Sequence, residues 1–248
     1  MNDNRAGFED FTRTAAARER ILAAVTPTGR TERVGLRDAD DRVVASAVAA
    51  DRSVPHYERA AMDGYAVRAR DTFGASERSP ASLRVADTVR AGTATRVHTG
   101  SELPDGADAV VVVEATERTG EELAVFEAVP EGGNVGSVGE DVAEGQALFE
   151  PGHRLRPSDL GLLKAVGLET VEVYDRPRVS VVPTGEELVQ ADPDPGEVIE
   201  TNGQTVAQYV ERWGGEATHR GVVTDDAETL RAAVERDLEH DIVVTTGG

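Results

Sequence analysis

Eleven residues, Arg178 to Leu188, written RVSVVPTGEEL, constrain this chain more than any others. Val179 to Val182 is an apolar, β-branched run of strand length, and the following Pro183-Thr184-Gly185 is a turn predicted to open a helix at Glu186. A strand, a tight turn and a helix in succession make the geometry that holds anionic ligands at strand ends. Two more apolar runs follow, Gly221 to Val223 and Ile242 to Thr246, separated by helical patterns. That alternation predicts an α/β unit on a parallel sheet over residues 177–248. Its last strand stops on Gly247 and Gly248, before any helix that could cover it, so the unit is expected to be incomplete.

Upstream the texture differs. Ala17, Ile21, Leu22 and Val25 have helical spacing, which predicts a helix from Phe11 to Val25 ended by Thr26-Pro27-Thr28-Gly29. A second helix is predicted over Asp38 to Ala50, rich in Ala and Val. From about residue 57 to 135 short strand signals separated by glycine turns take over: Gly64 to Val67, Leu83 to Val89, Ala109 to Val113 and Leu123 to Ala128. Pro157 to Val166 reads as a helix with Gly167 placed to cap it, and Val171 to Tyr174 as a strand. The organisation predicted is mixed and multi-domain: a helical or mixed N-terminal region, residues 1–176, with a small inserted β domain, then the α/β domain, residues 177–248.

Charge narrows the partners. Against 46 acidic residues stand 26 basic ones, a net charge of −20, with Lys164 the one lysine. Such a surface repels nucleic-acid backbones and anionic membranes. It also repels itself, and with regular apolar runs preserved it suggests a folded halophilic protein. The melting temperature is therefore expected to rise from low KCl to molar KCl, where the Debye length falls to about 3 Å. A melting temperature flat across that range would sink this reading. The chain has no cysteine, hence no disulfide, thiolate nucleophile or cysteine metal site. No secretory signal pattern and no membrane-length apolar run is present, which predicts a cytoplasmic protein.

Three pairs share a capping spacing: Thr184 with Glu187, Thr201 with Gln204, and Asp225 with Glu228. Each pair has a purely structural reading as a helix cap. Glu187 and Asp225 are also both expected just past strand ends, where two carboxylates make a hard-cation site suited to Mg²⁺ with phosphate. In the β region, Asp63-Gly64 and Thr99-Gly100 are either hairpin turns or parts of a site, and spacing alone does not decide between them. His98 has no metal-ligand spacing to the other histidines.

The segments VPHYERAAMDGYA, VHTGSELPDGADAVVVVE, GEDV at Gly139 to Val142, RPRVSVVPTGEEL, Thr201-Asn202, and VVTDD followed by DIVVTTGG stand in fixed order. In that order they resemble the MoeA family, the molybdopterin molybdenumtransferases, to which the E domain of gephyrin is similar. The resemblance implies insertion of molybdate into adenylylated molybdopterin with release of AMP, dependent on Mg²⁺. It implies a molybdopterin-binding α/β domain of three layers and a homodimer. It also implies a molybdopterin adenylyltransferase as a possible upstream partner. Carried over by position, the functional residues are Asp63, Thr99, Glu187 and Asp225, with Glu187 and Asp225 on the metal. Asp141, Thr184, Gly185, Asn202, Gly247 and Gly248 are the expected cofactor-binding positions. The resemblance breaks at Gly136, where family members usually carry an arginine. That departure keeps open a pterin- or nucleotide-binding paralogue without turnover, beside a gephyrin-like scaffold.

Overall fold

A computed structural model describes residues 12–247, which form two compact units, one of residues 33–173 and one of the residues up to 32 together with those from 174 onward. Strands dominate, with four α-helices among the described residues. The first helix, α1 (Thr14–Ala24), lies inside the predicted span; Phe11 falls outside the described residues.

The unit of residues 33–173 is built on a six-stranded sheet. Its strands are β1 (Gly64–Val67), β2 (Ala81–Val85), β3 (Thr93–Val97), β4 (Ala109–Val112), β5 (Thr116–Thr119) and β6 (Glu122–Val125), in the spatial order β4-β1-β3-β2-β6-β5. Side chains alternate across a strand, yet all four residues of β1 are buried. Tyr65 and Val67 pack with Leu83, Val111, Leu123 and Val125 on one face. Ala66 packs with Ala60, Val97 and Val110 on the other. Two covered faces explain why GYAV and AVVV read as continuous apolar runs rather than alternating ones. A further core gathers Ala39, Val44, Val48, Leu155, Leu163, Val171 and Val173 around α2 (Pro157–Ala165). Proline occupies the first position of α2, and Gly167 follows it in the left-handed region at φ +95°, as local rules require. Buried Asp159 in its first turn accepts from the Arg156 N–H at 3.0 Å and lies 2.8 Å from His153 Nε2.

The second predicted helix is corrected. Leu36–Asp38 is one turn of 3₁₀ helix, after which Val43 and Val44 bridge to Arg154 and Val173 and Val48–Ala49 pairs with Ala147–Phe149. Alanine content favours a helix there, but the β-branched valines find strand partners more than ninety residues away, and tertiary pairing overrides a weak local preference.

In the other unit a parallel three-stranded sheet has β7 (Arg178–Pro183) at its centre, flanked by β8 (Glu216–His219) and β9 (Ile242–Thr246). Between β7 and β8 runs α3 (Asn202–Arg212), whose Val206, Ala207 and Val210 pack on Val179 and Val181. Ser180, on the opposite face of β7, donates at 2.7 Å to Asp237, which follows α4 (Ala227–Arg236) and is completely buried. Arg220 Nε and Arg236 also donate to Asp237, at 3.1 and 2.8 Å. Arg30 grips both oxygens of Asp241 at 2.7 Å, and Asp241 in turn accepts from the Arg178 N–H at the start of β7.

Three local expectations fail in this unit. No helix opens at Glu186. The Thr184 N–H donates to Thr246 and the Gly185 N–H to Val223, so the turn prolongs the sheet, and Leu188–Val189 then pairs in parallel with Val198–Ile199. The strand expected at Gly221 to Val223 lies earlier, at β8, and Val223 keeps a single bridge to Thr184. The capping pairs are also displaced. Asp226, not Asp225, caps α4 by accepting from the Thr229 N–H at 2.8 Å. At α3, Thr201 makes no side-chain cap, and Glu200 accepts from the Gly203 N–H instead.

Candidate functional site

Two clusters carry the sequence-predicted residues, one in each unit. In the β-rich unit Asp63 sits immediately before β1, and Thr99 just after β3. Strands β1 and β3 are antiparallel neighbours with Gly64 opposite Val97, so their ends bring the two residues together. Asp63 Oδ1 accepts from the Thr99 N–H at 2.7 Å and from the Thr99 hydroxyl at 2.8 Å. His98 Nδ1 stands 3.6 Å from the other carboxyl oxygen. The Thr99 backbone bond, then its hydroxyl bond, hold the Asp63 carboxyl below the usual range. At neutral pH Asp63 is thus a fixed anion, suited to orienting a cation or a hydrogen-bond donor and poorly suited to taking a proton.

Gly64 is required here for a steric reason. A Cβ on it would lie 2.0 Å from the Val111 carbonyl oxygen. The glycine lets β1 approach β4 closely, and so fixes where Asp63 emerges.

Asp141 lies in the same unit, and its N–H donates to Val54 O. Its carboxylate is 3.5 Å from an Arg59 terminal nitrogen, and Glu140 is 3.7 Å from the same nitrogen. Arg59 pairs with Gly136 across two short antiparallel strands. A Cβ at Gly136 would be 3.1 Å from Arg59 Cγ and Nε. The room left by the absent side chain at position 136 is shared by a Glu140 carboxylate oxygen, which would lie 2.7 Å from that Cβ, and the Arg59 side chain, so the corner holds one cation between two carboxylates. Nothing in the sequence pairs Arg59 with Gly136.

In the α/β unit a cavity of about 290 Å³ opens at the start of α3. Glu187, Leu188, Val198, Ile199 and Glu200 line one part of it, and Thr201, Asn202, Thr246 and Gly247 the rest. The Glu187 carboxylate folds back over Gly185, whose added Cβ would fall 2.9 Å from both of its oxygens. Thr184, buried, contacts Gly247 through its carbonyl and hydroxyl oxygens. Asn202 begins α3 at the cavity edge. Gly248 lies outside the described residues. Asp225 is exposed and is not one of the cavity-lining residues; it follows Val223, which bridges Thr184. Its neighbour Asp226 is held down to about 2, first by the Thr224 hydroxyl and then by Thr229. Among the described residues no three His, Asp or Glu side chains converge as a metal-holding group. Glu187 and Asp225 are hard oxygen donors that follow Thr184 and Val223, two residues bridged to each other.

Glu200 and His219 are the residues that sequence reasoning missed. The Glu200 side chain is 1% exposed, with His219 Nε2 3.2 Å from its Oε2. Its only sequence signal is a place beside the Thr201-Asn202 pair.

Residues 12–167 match the family model described as MoeA N-terminal region (domain I and II), and residues 180–248 match a probable molybdopterin binding domain. A curated relative from Mycobacterium tuberculosis named molybdopterin molybdenumtransferase 2 is 34% identical over 95% of this chain and 62% of its own length. The molybdopterin molybdenumtransferase of Bacillus subtilis is 35% identical over 89% of this chain and 55% of its own. The chain thus spans about three fifths of the curated relatives it matches. A solved molybdopterin biosynthesis MoeA protein from Pyrococcus horikoshii OT3 superimposes with a TM-score of 0.85 at 35% identity, covering 94% of this chain and 66% of that one.

Proposed function

The chain belongs to the MoeA family, and from that premise we propose that it works in molybdenum cofactor biosynthesis as a molybdopterin molybdenumtransferase. The reaction proposed is insertion of molybdate into adenylylated molybdopterin with release of AMP. The observation that carries it is the ionised Asp63, clamped by Thr99 at the end of β1, in a chain whose other unit matches a molybdopterin-binding model. Mg²⁺, held by Glu187 and Asp225, would neutralise charge on the phosphate anhydride. Asp63, as a fixed anion, orients the bound substrate without exchanging a proton. Thr184 and Gly185 shape the turn beneath the Glu187 carboxylate, and Asn202 and Gly247 border the cavity. Arg59 beside Gly136 keeps a guanidinium within reach of Asp141 and Glu140, a cation at the corner where the family arginine is absent.

The same reading includes a homodimer. Exposed Ile21, Leu22 and Val25 on and after α1 support it, being large apolar groups left to solvent in a single copy. It includes a molybdopterin adenylyltransferase as supplier of the adenylylated substrate, and a cytoplasmic, salt-adapted setting consistent with the charge of −20. No helix among the described residues is long and apolar enough to cross a membrane.

The test is AMP release from adenylylated molybdopterin by the intact gene product. Asp63→Asn, Glu187→Gln and Asp225→Asn are each expected to slow it by about a hundredfold, the scale of losing one electrostatic group at a reacting centre. Thr99→Ala is expected to cost less, since the backbone donor to Asp63 remains. Wild-type rates in all three carboxylate variants at saturating Mg²⁺ would reject the assignment.

A further inference from the structure

A cavity of about 480 Å³ opens in the β-rich unit where the 3₁₀ turn Leu36–Asp38 meets the C-terminal end of α2. None of the residues assigned to the proposed reaction lines it. Its walls are tied by backbone hydrogen bonds, the Leu36 N–H donating to Glu169 O and the Arg52 N–H to Val166 O, each at 3.1 Å. Three cations line it, Arg37, Arg52 and the chain's one lysine, Lys164, beside two exposed carboxylates, Asp38 and Glu169. In a chain of 26 basic and 46 acidic residues that ratio is inverted. The cavity is positive on a protein that is otherwise negative, and so attracts an anion that the rest of the surface repels.

Cations at the end of a helix ordinarily compensate its unpaired carbonyls. Here those carbonyls already have donors. Leu162 O accepts from the Val166 N–H, Leu163 O from Leu168, Lys164 O from Gly167, and Ala165 O from Arg52 Nε at 3.0 Å. Neither the Lys164 ammonium nor the Arg37 guanidinium has a hydrogen bond or ion pair with a described residue, and the two terminal nitrogens of Arg52 have none either. Arg52 is also fixed in place. A Cβ on Gly167 would lie 3.4 Å from its Cγ, so its stem rests against the glycine while Nε is held by Ala165. The three cations are thus unspent, and one of them is pre-positioned.

We infer that this cavity is a second ligand site, separate from the proposed reaction, and that it takes a phosphorylated polyol of the sugar phosphate class. Arg37, Arg52 and Lys164 hold the phosphate, the arginines through directed N–H donors and the lysine as a point charge. Asp38 and Glu169 accept from the hydroxyl groups. The volume lies within the range of small-molecule pockets and leaves room for a sugar beside the phosphate. The two carboxylates disfavour a second phosphate, which sets polyphosphates and nucleic acid aside.

Isothermal titration calorimetry of the intact gene product with ribose 5-phosphate, at fixed KCl and with EDTA to remove divalent cations, tests this. Saturable binding is expected, with inorganic phosphate competing more weakly and ribose not competing. Lys164→Gln and Arg37→Gln should each weaken it about threefold to fivefold, the scale of one exposed charge contact. Lys164→Arg should keep most of the affinity. Arg231→Gln removes the same charge from α4, outside the cavity, and should change nothing, as should Glu187→Gln at the other cavity. Asp38→Ala with Glu169→Ala should narrow the gap between ribose 5-phosphate and inorganic phosphate. The inference is overturned if the wild type shows no saturable binding, if both Lys164→Gln and Arg37→Gln bind as the wild type does, or if Arg231→Gln or Glu187→Gln weakens binding equally. The Lys164 and Arg37 side chains have no hydrogen bond to lose, so both variants should fold with wild-type circular dichroism. Cations that serve only the helix end would lower the melting temperature when removed and leave the affinity unchanged, which also overturns it.

Discussion

Asp237→Ala is expected to destabilise the α/β unit by roughly 2–3 kcal/mol, the scale of removing a charged acceptor and leaving a buried donor unsatisfied. Asp237 is completely buried, and its carboxylate accepts from Arg236, Arg220 and Ser180. Without it the buried Ser180 hydroxyl on the central strand loses its acceptor, while Arg220 and Arg236, 31% and 50% exposed, are left to pair with water. Urea denaturation followed by circular dichroism would measure the loss, and a midpoint within error of the wild type would refute it. Acid supplies a second arm. Arg236 first, and then Arg220 and Ser180, hold the Asp237 carboxyl well below the usual carboxylate range, and Arg30 does the same for Asp241. A carboxyl lowered in the folded state contributes stability that is present above its unfolded pKa of about 3.9 and is lost as pH falls below that value. The wild type should therefore lose stability steeply below about pH 4. Asp237→Asn, with one such group fewer, should show a shallower loss.

Gly64→Ala is expected to disrupt the six-stranded sheet and the Asp63 site together. The added methyl would sit 2.0 Å from Val111 O and 2.9 Å from Val111 C, and both are backbone atoms of β4 that no rotamer change can move aside. Relief requires β1 and β4 to separate, breaking the pairing of Tyr65 with Val111 and the packing on both faces of β1. A cost of about 3 kcal/mol or more follows from overpacking a core that cannot yield. The Asp63 carboxylate should also lose its register with Thr99, so AMP release should fall further than stability alone explains. Gly161→Ala is the matched control. Gly161 lies within α2 with open space around it, and the change should stabilise by about 0.5–1 kcal/mol through helix propensity. Equal urea midpoints for Gly64→Ala and the wild type would show that the strands are not in fact held at this distance.

What the sequence determined by itself is what adjacent residues decide among themselves. The β-branched run at Val179 to Val182 forms β7, the strand at the centre of its sheet. Pro157 and Gly167 bracket α2 because one lacks a needed N–H donor at no cost and the other accepts a positive φ. The ordered motifs place the chain in its family, since residue identity in fixed order is visible without coordinates. Tertiary structure decided everything that depends on partners far along the chain. Val43 and Val44 left a helical composition for strand bridges to Arg154 and Val173. The Pro-Thr-Gly turn became an extension of the sheet because Val223 and Thr246 were there to accept its N–H groups. Glu200, with no pattern around it, became a buried carboxylate on a cavity wall because His219, on another strand, closes against it. Arg59, with Glu140, came to occupy the room that Gly136 leaves, and Arg59 and Gly136 are 77 positions apart. Local propensities amount to tenths of a kcal/mol per residue, and paired hydrogen bonds and packed side chains to about one or more, so wherever the two disagreed the distant contact prevailed.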